Sequence, residues 1–171
     1  LQVIVGEAAY PVQEAAVYQV GNANRKLYSD YRRFSENATD DATREEFGAL
    51  AQTALTNAED AFRRVIDTAT HVELRGQAYG RLIELHYEAE QFDQVIDVAS
   101  QLVEAFDATP LAKTGYYNTG WAYYETERYE ESITAFQTLL ERYPAGFEAD
   151  RSMFQIGECY LKLEQYNEAI E

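Results

Sequence analysis

The chain has one cysteine, one tryptophan, two histidines and three prolines among 171 residues, and each scarcity excludes something. Cys159 alone cannot form an internal disulfide, and it leaves the redox compartment undetermined. His71 and His86 supply neither a metal-ligand set nor a base beside a nucleophile, since no histidine stands near Cys159. There is no glycine-rich phosphate loop and no serine motif. No stretch approaches the ~20 continuous apolar residues of a membrane span, and LQVIVG at the start lacks the basic residues and length of a signal peptide. The expectation is a non-catalytic protein with no cofactor and no metal. An opening residue other than Met and a stop inside a repeat are what a piece of a longer protein would show, from which a signal or lipid anchor could have been removed.

Basic residues are also few: 14 Lys and Arg face 30 Asp and Glu, for a net charge of −16. Such a surface repels a phosphate backbone unless the bases cluster, and they do not, so nucleic acid is not an expected partner. Lysine occurs only as Lys26, Lys113 and Lys162. Acid excess with little lysine is the composition of proteins from brine or a salt-rich cytoplasm, and equally that of an ordinary solvated acidic surface.

What is abundant is tyrosine, with 14 residues, and Ala, Glu and Leu recur throughout, which favours a helical protein rich in aromatic packing. Tyr10-Pro11 resembles Tyr143-Pro144 in pattern, so LQVIVGEAAY reads as the tail of an upstream helix. From about Val12 to Glu36, Ala16, Val20, Ala23, Leu27, Tyr31 and Phe34 recur in steps of three and four, the mark of one helical face. Gly21 within that span allows close packing. Asn37 to Asp41 supplies turn and cap chemistry, with Glu45 and Glu46 in the first turns of the next helix. This second long helix carries Phe47, Ala51, Ala54, Ala58, Phe62 and Val65, widened by Leu50, Leu55 and Ile66, and should end near Ala69. Each helix would be about 35–40 Å long. The pair is expected to form a protruding antiparallel hairpin.

From His71 the pattern repeats every 37 residues: Tyr79, Tyr87, Phe92, Ile96, Leu102 and Phe106 recur as Tyr116, Tyr124, Tyr129, Ile133, Leu139 and Tyr143. Met153, Leu161, Tyr166 and Ile170 open another copy. Stepping back by the same interval places Leu55, Ala58, Val65 and Ile66 in the second helix of an earlier, elongated copy. Pro11 stands ten residues before Gly21, as Pro110 stands ten before Gly120. The expected divisions are an upstream tail at 1–10, an elongated repeat at 11–74, repeats at 75–111 and 112–148, and a truncated one at 149–171.

Tyr116, Thr119, Gly120, Tyr123, Ser132, Phe136 and Pro144 stand at the seven positions of W-x2-L-G-x2-Y…A-x3-F…P. Met153, Ile156, Gly157, Tyr160 and Ala169 repeat them. The chain thus resembles the tetratricopeptide repeat, in which small residues lie where paired helices touch. The copy containing Ile83 and His86 is degenerate. Three residues beyond the usual 34 fall near Ala145-Gly146-Phe147. The Tyr-Pro ends and IGECYLKLEQYNEAI look like bacterial cell-envelope members, such as the lipoprotein that assists outer-membrane β-barrel assembly and the periplasmic cell-division coordinator.

The resemblance implies an all-α right-handed solenoid of antiparallel helix pairs whose first helices line a concave groove. Carried over by register, the groove takes Tyr18, Asn22 and Arg25, then Gln77, Glu84, Tyr87 and Glu88, then Tyr117, Trp121, Tyr124 and Glu125, then Phe154, Glu158, Leu161 and Lys162. Tyr117, Trp121 and Tyr124 share one helical face, and such a cluster can anchor a partner segment or pack on a neighbouring helix. The glutamates would suit a basic peptide, or simply face water. His86 and Cys159 fall on packing stripes. Arg25, Lys26, Arg32 and Arg33 form the densest basic cluster, a face that could contact an acidic protein or anionic lipid. The expectation is instead that Arg32 and Arg33 pair with Glu45 and Glu46 across the hairpin, each pair contributing ~0–1 kcal/mol. The implied function is a scaffold for a peptide or protein partner; the alternatives are a cell-envelope assembly factor and a regulatory segment of a larger enzyme.

Overall fold

Local signals fix where the helices begin and end. Asp40 is extended, and its carboxylate accepts from the Thr43 N–H at 2.9 Å, starting one helix. Thr109 Oγ1 accepts from the Leu111 N–H, and Pro110 occupies the first turn, where its missing N–H has no cost. In the computed structural model, which describes residues 2–107 and 109–169 with side chains from residue 12 onward, the described elements are all helices. They are α1 (Gln2–Glu36), α2 (Asp41–Thr68), α3 (Val72–Glu88), α4 (Phe92–Ala105), α5 (Pro110–Glu125), α6 (Tyr129–Arg142) and α7 (Phe147–Lys162). They divide into two compact units, Leu1–Glu88 and Ala89–Glu171. Ile170 of the repeat pattern lies outside the described residues, as do the side chains of Tyr10 and Pro11.

In the first unit α1 packs along α2, and α3 packs against both. α1 is longer than expected. Its backbone runs from Gln2 through position 11 rather than starting near Val12.

The buried face of α1 is also not the one that the apolar stripe marks. Tyr18, Gly21 and Tyr28 are buried, whereas Ala16, Val20, Ala23, Leu27 and Phe34 are exposed. Gly21 decides this: a β-carbon there would lie 2.6 Å from the Phe62 ring, so only glycine lets α1 approach α2 so closely. Tyr18 then stacks edge-on against Phe62 at 5.8 Å. Two tyrosine rings remove more apolar area from water than Ala16 and Ala23 could. The expected stripe of α2 is largely buried, from Ala51 to Ile66, but Leu50 is exposed. Glu14 is buried with α1, and its carboxylate accepts from the Thr70 N–H at 3.0 Å and its hydroxyl at 3.2 Å, which compensates its desolvation.

The second unit stacks α4 on α5, α5 on α6 and α6 on α7. Gly120 repeats the device of Gly21: a β-carbon would meet the Phe136 ring at 2.6 Å. Ser132 donates to the Gly120 carbonyl at 2.8 Å and accepts from the Cys159 thiol at 3.4 Å, so one buried hydroxyl joins α5, α6 and α7. Gly115 admits Val103 of α4, whose Cγ2 would lie 2.6 Å from an added β-carbon. Phe136, Leu102 and Leu139 are fully buried, each worth about 1.5–3 kcal/mol relative to exposure.

The 37-residue phase is written in the backbone as well. Glu90, Glu127 and Glu164 all adopt left-handed conformations, with φ of 58°, 60° and 60°. The latter two close α5 and α7 with the same double hydrogen bond: Arg128 N–H to Tyr123 C=O and Glu127 N–H to Tyr124 C=O, then Gln165 to Tyr160 and Glu164 to Leu161. Met153, assigned to packing by the same phase, is instead exposed. The side chain stands on α7 where no described helix covers it.

Candidate functional site

The richest surface belongs to α5. Steps of four and three place Tyr117, Trp121 and Tyr124 on one face. Trp121 is half-buried, with its ring edge-on to Tyr117 at 6.2 Å and to Tyr124 at 5.8 Å. Phe136 backs it at 6.2 Å with the planes nearly perpendicular, and also meets Tyr117 at 6.2 Å. Tyr124 continues to Tyr129 of α6 at 5.6 Å. Edge-to-face pairs add ~0.5–1.5 kcal/mol each beyond area burial, so the rings are held before any partner arrives. The Gly120–Phe136 contact sets this cluster, because the glycine next to Trp121 brings the Phe136 ring beneath it.

One cation completes the site. The Arg151 guanidinium lies 5.4 Å from the Trp121 ring and 5.5 Å from Phe147. Among the described residues no carboxylate comes within ion-pair distance of it. A guanidinium held on ring faces keeps N–H donors for a partner's oxygens. Neither Arg151 nor Phe147 is in the groove set, although Arg151 stands two 37-residue steps beyond Gln77, which is in it. The signal that could have found them is their own spacing of four at the start of α7.

The other groove candidates are placed differently. Glu125 is exposed on α5; Glu158 is half-buried on α7. Phe154 and Leu161 are exposed, and Phe154 makes no ring contact with the α5 cluster among the described residues. Tyr87 stands half-buried on α3, in the first unit. Tyr18 is a core residue rather than a groove residue, because its ring fills the space beside Phe62; its hydroxyl accepts weakly from Arg81 Nε at 3.4 Å.

The first unit has a polar surface between α1 and α3. Arg25 pairs with Glu84 at 2.9 Å and with Glu88, Arg81 pairs with Glu84 at 2.7 Å, and Ser29 donates to Glu88 at 3.2 Å. These pairs occupy both glutamates. Arg32 and Arg33 do not cross the hairpin to Glu45 and Glu46. Arg32 bonds Glu36 at 2.8 Å and the Glu88 carbonyl, and Arg33 bonds Asp30 at 3.1 Å. Asp30 and Glu36 lie within one turn on the same helix and are reached at less conformational cost than acids across the hairpin turn, while the Glu88 carbonyl is presented by α3 packed alongside.

His86 is buried, with Nδ1 3.5 Å from Glu59. Burial pushes the Cys159 thiol above its ordinary pKa, against the lowering effect of its bond to Ser132. It is a thiol rather than a thiolate at neutral pH. Among the described residues, no group of three or more His, Cys, Asp or Glu could hold a metal, and no helix is long and apolar enough to cross a membrane.

Models of the tetratricopeptide repeat match residues 81–147 and 150–171, together just over half of the chain. Among solved structures, PlcR of Bacillus thuringiensis in its apo form aligns with a TM-score of 0.56 at 16% identity, over 98% of this chain and 70% of that one. MamA of AMB-1 aligns at 0.52 and 16% identity, over 93% and 87%. MamA of MSR-1 aligns at 0.53 and 17%, over 96% and 91%. At these identities the likeness shows a shared helical repeat fold. No curated protein sequence matches the chain.

Proposed function

We infer the function from the premise that the chain belongs to the tetratricopeptide repeat family, whose members are protein–protein interaction scaffolds. The chain is a non-catalytic scaffold, and its partner is a peptide or protein segment seated on the aromatic face of α5. The observation that carries this reading is Trp121: half-buried, edge-on to Tyr117 and Tyr124, and carrying an Arg151 guanidinium that no carboxylate among the described residues pairs. A ring in that state has apolar area still to bury, in a surface whose rotamers are already fixed. Binding there loses little ordering entropy on the scaffold side.

Tyr117, Trp121 and Tyr124 would supply the apolar anchor. Arg151 would take a carboxylate or carbonyl of the partner, while Glu125 and Glu158 favour a basic residue nearby. Phe154 extends the candidate set on α7, and Tyr87 on α3 is a separate candidate within the first unit. Truncation of Trp121, with capture of the partner as the readout, tests the reading.

A further inference from the structure

We propose that Lys113 makes the aromatic face of α5 selective for an acidic partner segment, by holding Glu148 away from Arg151 so that this guanidinium stays open for a carboxylate of the partner. The proposal rests on the reading of that face given above and names the chemistry it selects.

Among 30 acidic and 14 basic residues, a carboxylate one turn away is the ordinary partner of an arginine. Arg33 pairs with Asp30 and Arg44 with Asp41, each three residues back on its own helix. Arg81 and Arg128 pair with Glu84 and Glu131, three residues forward. Arg33, Arg128 and Arg142 also lie over aromatic rings, and each still has a carboxylate, from Asp30, Glu131 and Asp107. A ring face therefore does not stand in for an acid at these residues.

Arg151 has its acid at the same spacing and does not use it. Glu148 stands three residues before Arg151, as Asp30 stands before Arg33 and Asp41 before Arg44. Its Oε2 instead accepts from Lys113 Nζ of α5 at 2.9 Å. The side chains of Lys113 and Glu148 are 24% and 32% exposed, so their attraction is less screened than one to the exposed Arg151. The carboxylate goes to the less solvated cation. Trp121 and Phe147 then hold the Arg151 guanidinium at 5.4 and 5.5 Å, with its N–H donors unclaimed by any carboxylate among the described residues.

Such a group selects charge. Bonds from a guanidinium to a carboxylate are about twice as strong as bonds between neutral groups, and the fork of N–H donors fits two carboxylate oxygens at once. A basic residue at the same point would set like charges together. The occupant is therefore a protein segment with an Asp or Glu beside the apolar residue that covers Trp121. Lys113 is a positioning residue in this account. Without it, Glu148 is free to reach Arg151 within one turn and to compete with the partner's carboxylate.

The test selects binders for the wild-type protein from a random peptide library, then measures Kd for each binder and for a copy with its Asp and Glu changed to the amides. The account expects binders that Trp121→Ala releases, each with an acidic residue whose amide copy binds about tenfold more weakly. Arg151→Gln should remove that difference. Lys113→Gln should weaken the acidic peptide to the level of its amide copy. Lys113→Gln/Glu148→Gln should restore wild-type affinity, because the pair removed carries no net charge and no carboxylate is left to occupy Arg151. Lys113 and Glu148 are partly exposed and Arg151 is exposed, so circular dichroism of these variants should match wild type. A double variant as weak as Lys113→Gln overturns the proposal, since Lys113 then acts by its own charge. An amide copy that binds as well as the acid overturns it too, as does a difference that survives Arg151→Gln. A selection that yields no binder released by Trp121→Ala contradicts the face itself, and the proposal falls with it.

Discussion

Phe136 lies so close to Gly120 that a β-carbon at residue 120 would fall 2.6 Å from its ring, and Phe62 stands in the same relation to Gly21. Each unit has one helix pair closed by a glycine and a phenylalanine, and in the second unit that contact also sets the floor of the aromatic face. Gly120→Leu should therefore destabilise by about 1–3 kcal/mol or more through overpacking. Thermal melting checks it; a wild-type Tm would show that α5 and α6 do not meet at this residue.

Glu127 offers a change of opposite sign. It closes α5 in a left-handed conformation, at φ 60°, that costs an L side chain ~1 kcal/mol and costs glycine little. Glu127→Gly should raise stability by up to ~1 kcal/mol in denaturant titration, despite the greater freedom of glycine in the unfolded chain. A loss of stability would contradict the role given to that turn.

Much of this was legible in the sequence, for identifiable reasons. The 37-residue phase located Gly120, Ser132 and Phe136, because packing at a helix crossing needs small and large residues at fixed positions, and such positions leave a pattern. The stripe on α1 misled because apolar periodicity marks a face without saying what covers it. Tyr18 and Glu14 were hidden for the converse reason: their burial depends on Phe62 and Thr70, 44 and 56 residues away in the chain. Arg151 stands two 37-residue steps beyond Gln77, but the phase marks a position without saying what it meets, so only the folded arrangement brings it over Trp121.

Cys159 should be chemically silent in the folded protein. Its thiol is fully buried, bonded to Ser132, and raised in pKa by desolvation. Treatment with a thiol-reactive disulfide at about pH 8 should give no labelling on the timescale on which a free cysteine reacts, and full labelling in denaturant. Rapid native labelling would mean that α6 and α7 are not packed at Ser132.

Lys113 and Glu148 join α5 to the start of α7 at 2.9 Å. The bond from Lys113, helped by the residue's own backbone N–H, holds the Glu148 carboxyl below its usual pKa. A carboxyl lowered on folding binds fewer protons in the folded state, so its contribution is present above the ordinary Glu value of about 4.3 and is lost as pH falls through the folded value. Both side chains are partly exposed, which limits the pair to ~0–1 kcal/mol. Glu148→Gln should cost that much at neutral pH and nothing at low pH, by denaturant titration at the two pH values. An equal cost at both would assign the effect to packing instead.

The central claim, that the aromatic face of α5 is where a partner binds, is tested most directly by affinity capture from the native organism with wild-type protein and Trp121→Ala, followed by mass spectrometry. The account predicts a protein partner retained by wild type and lost from Trp121→Ala, with helicity unchanged by circular dichroism. Equal capture by both proteins would contradict it.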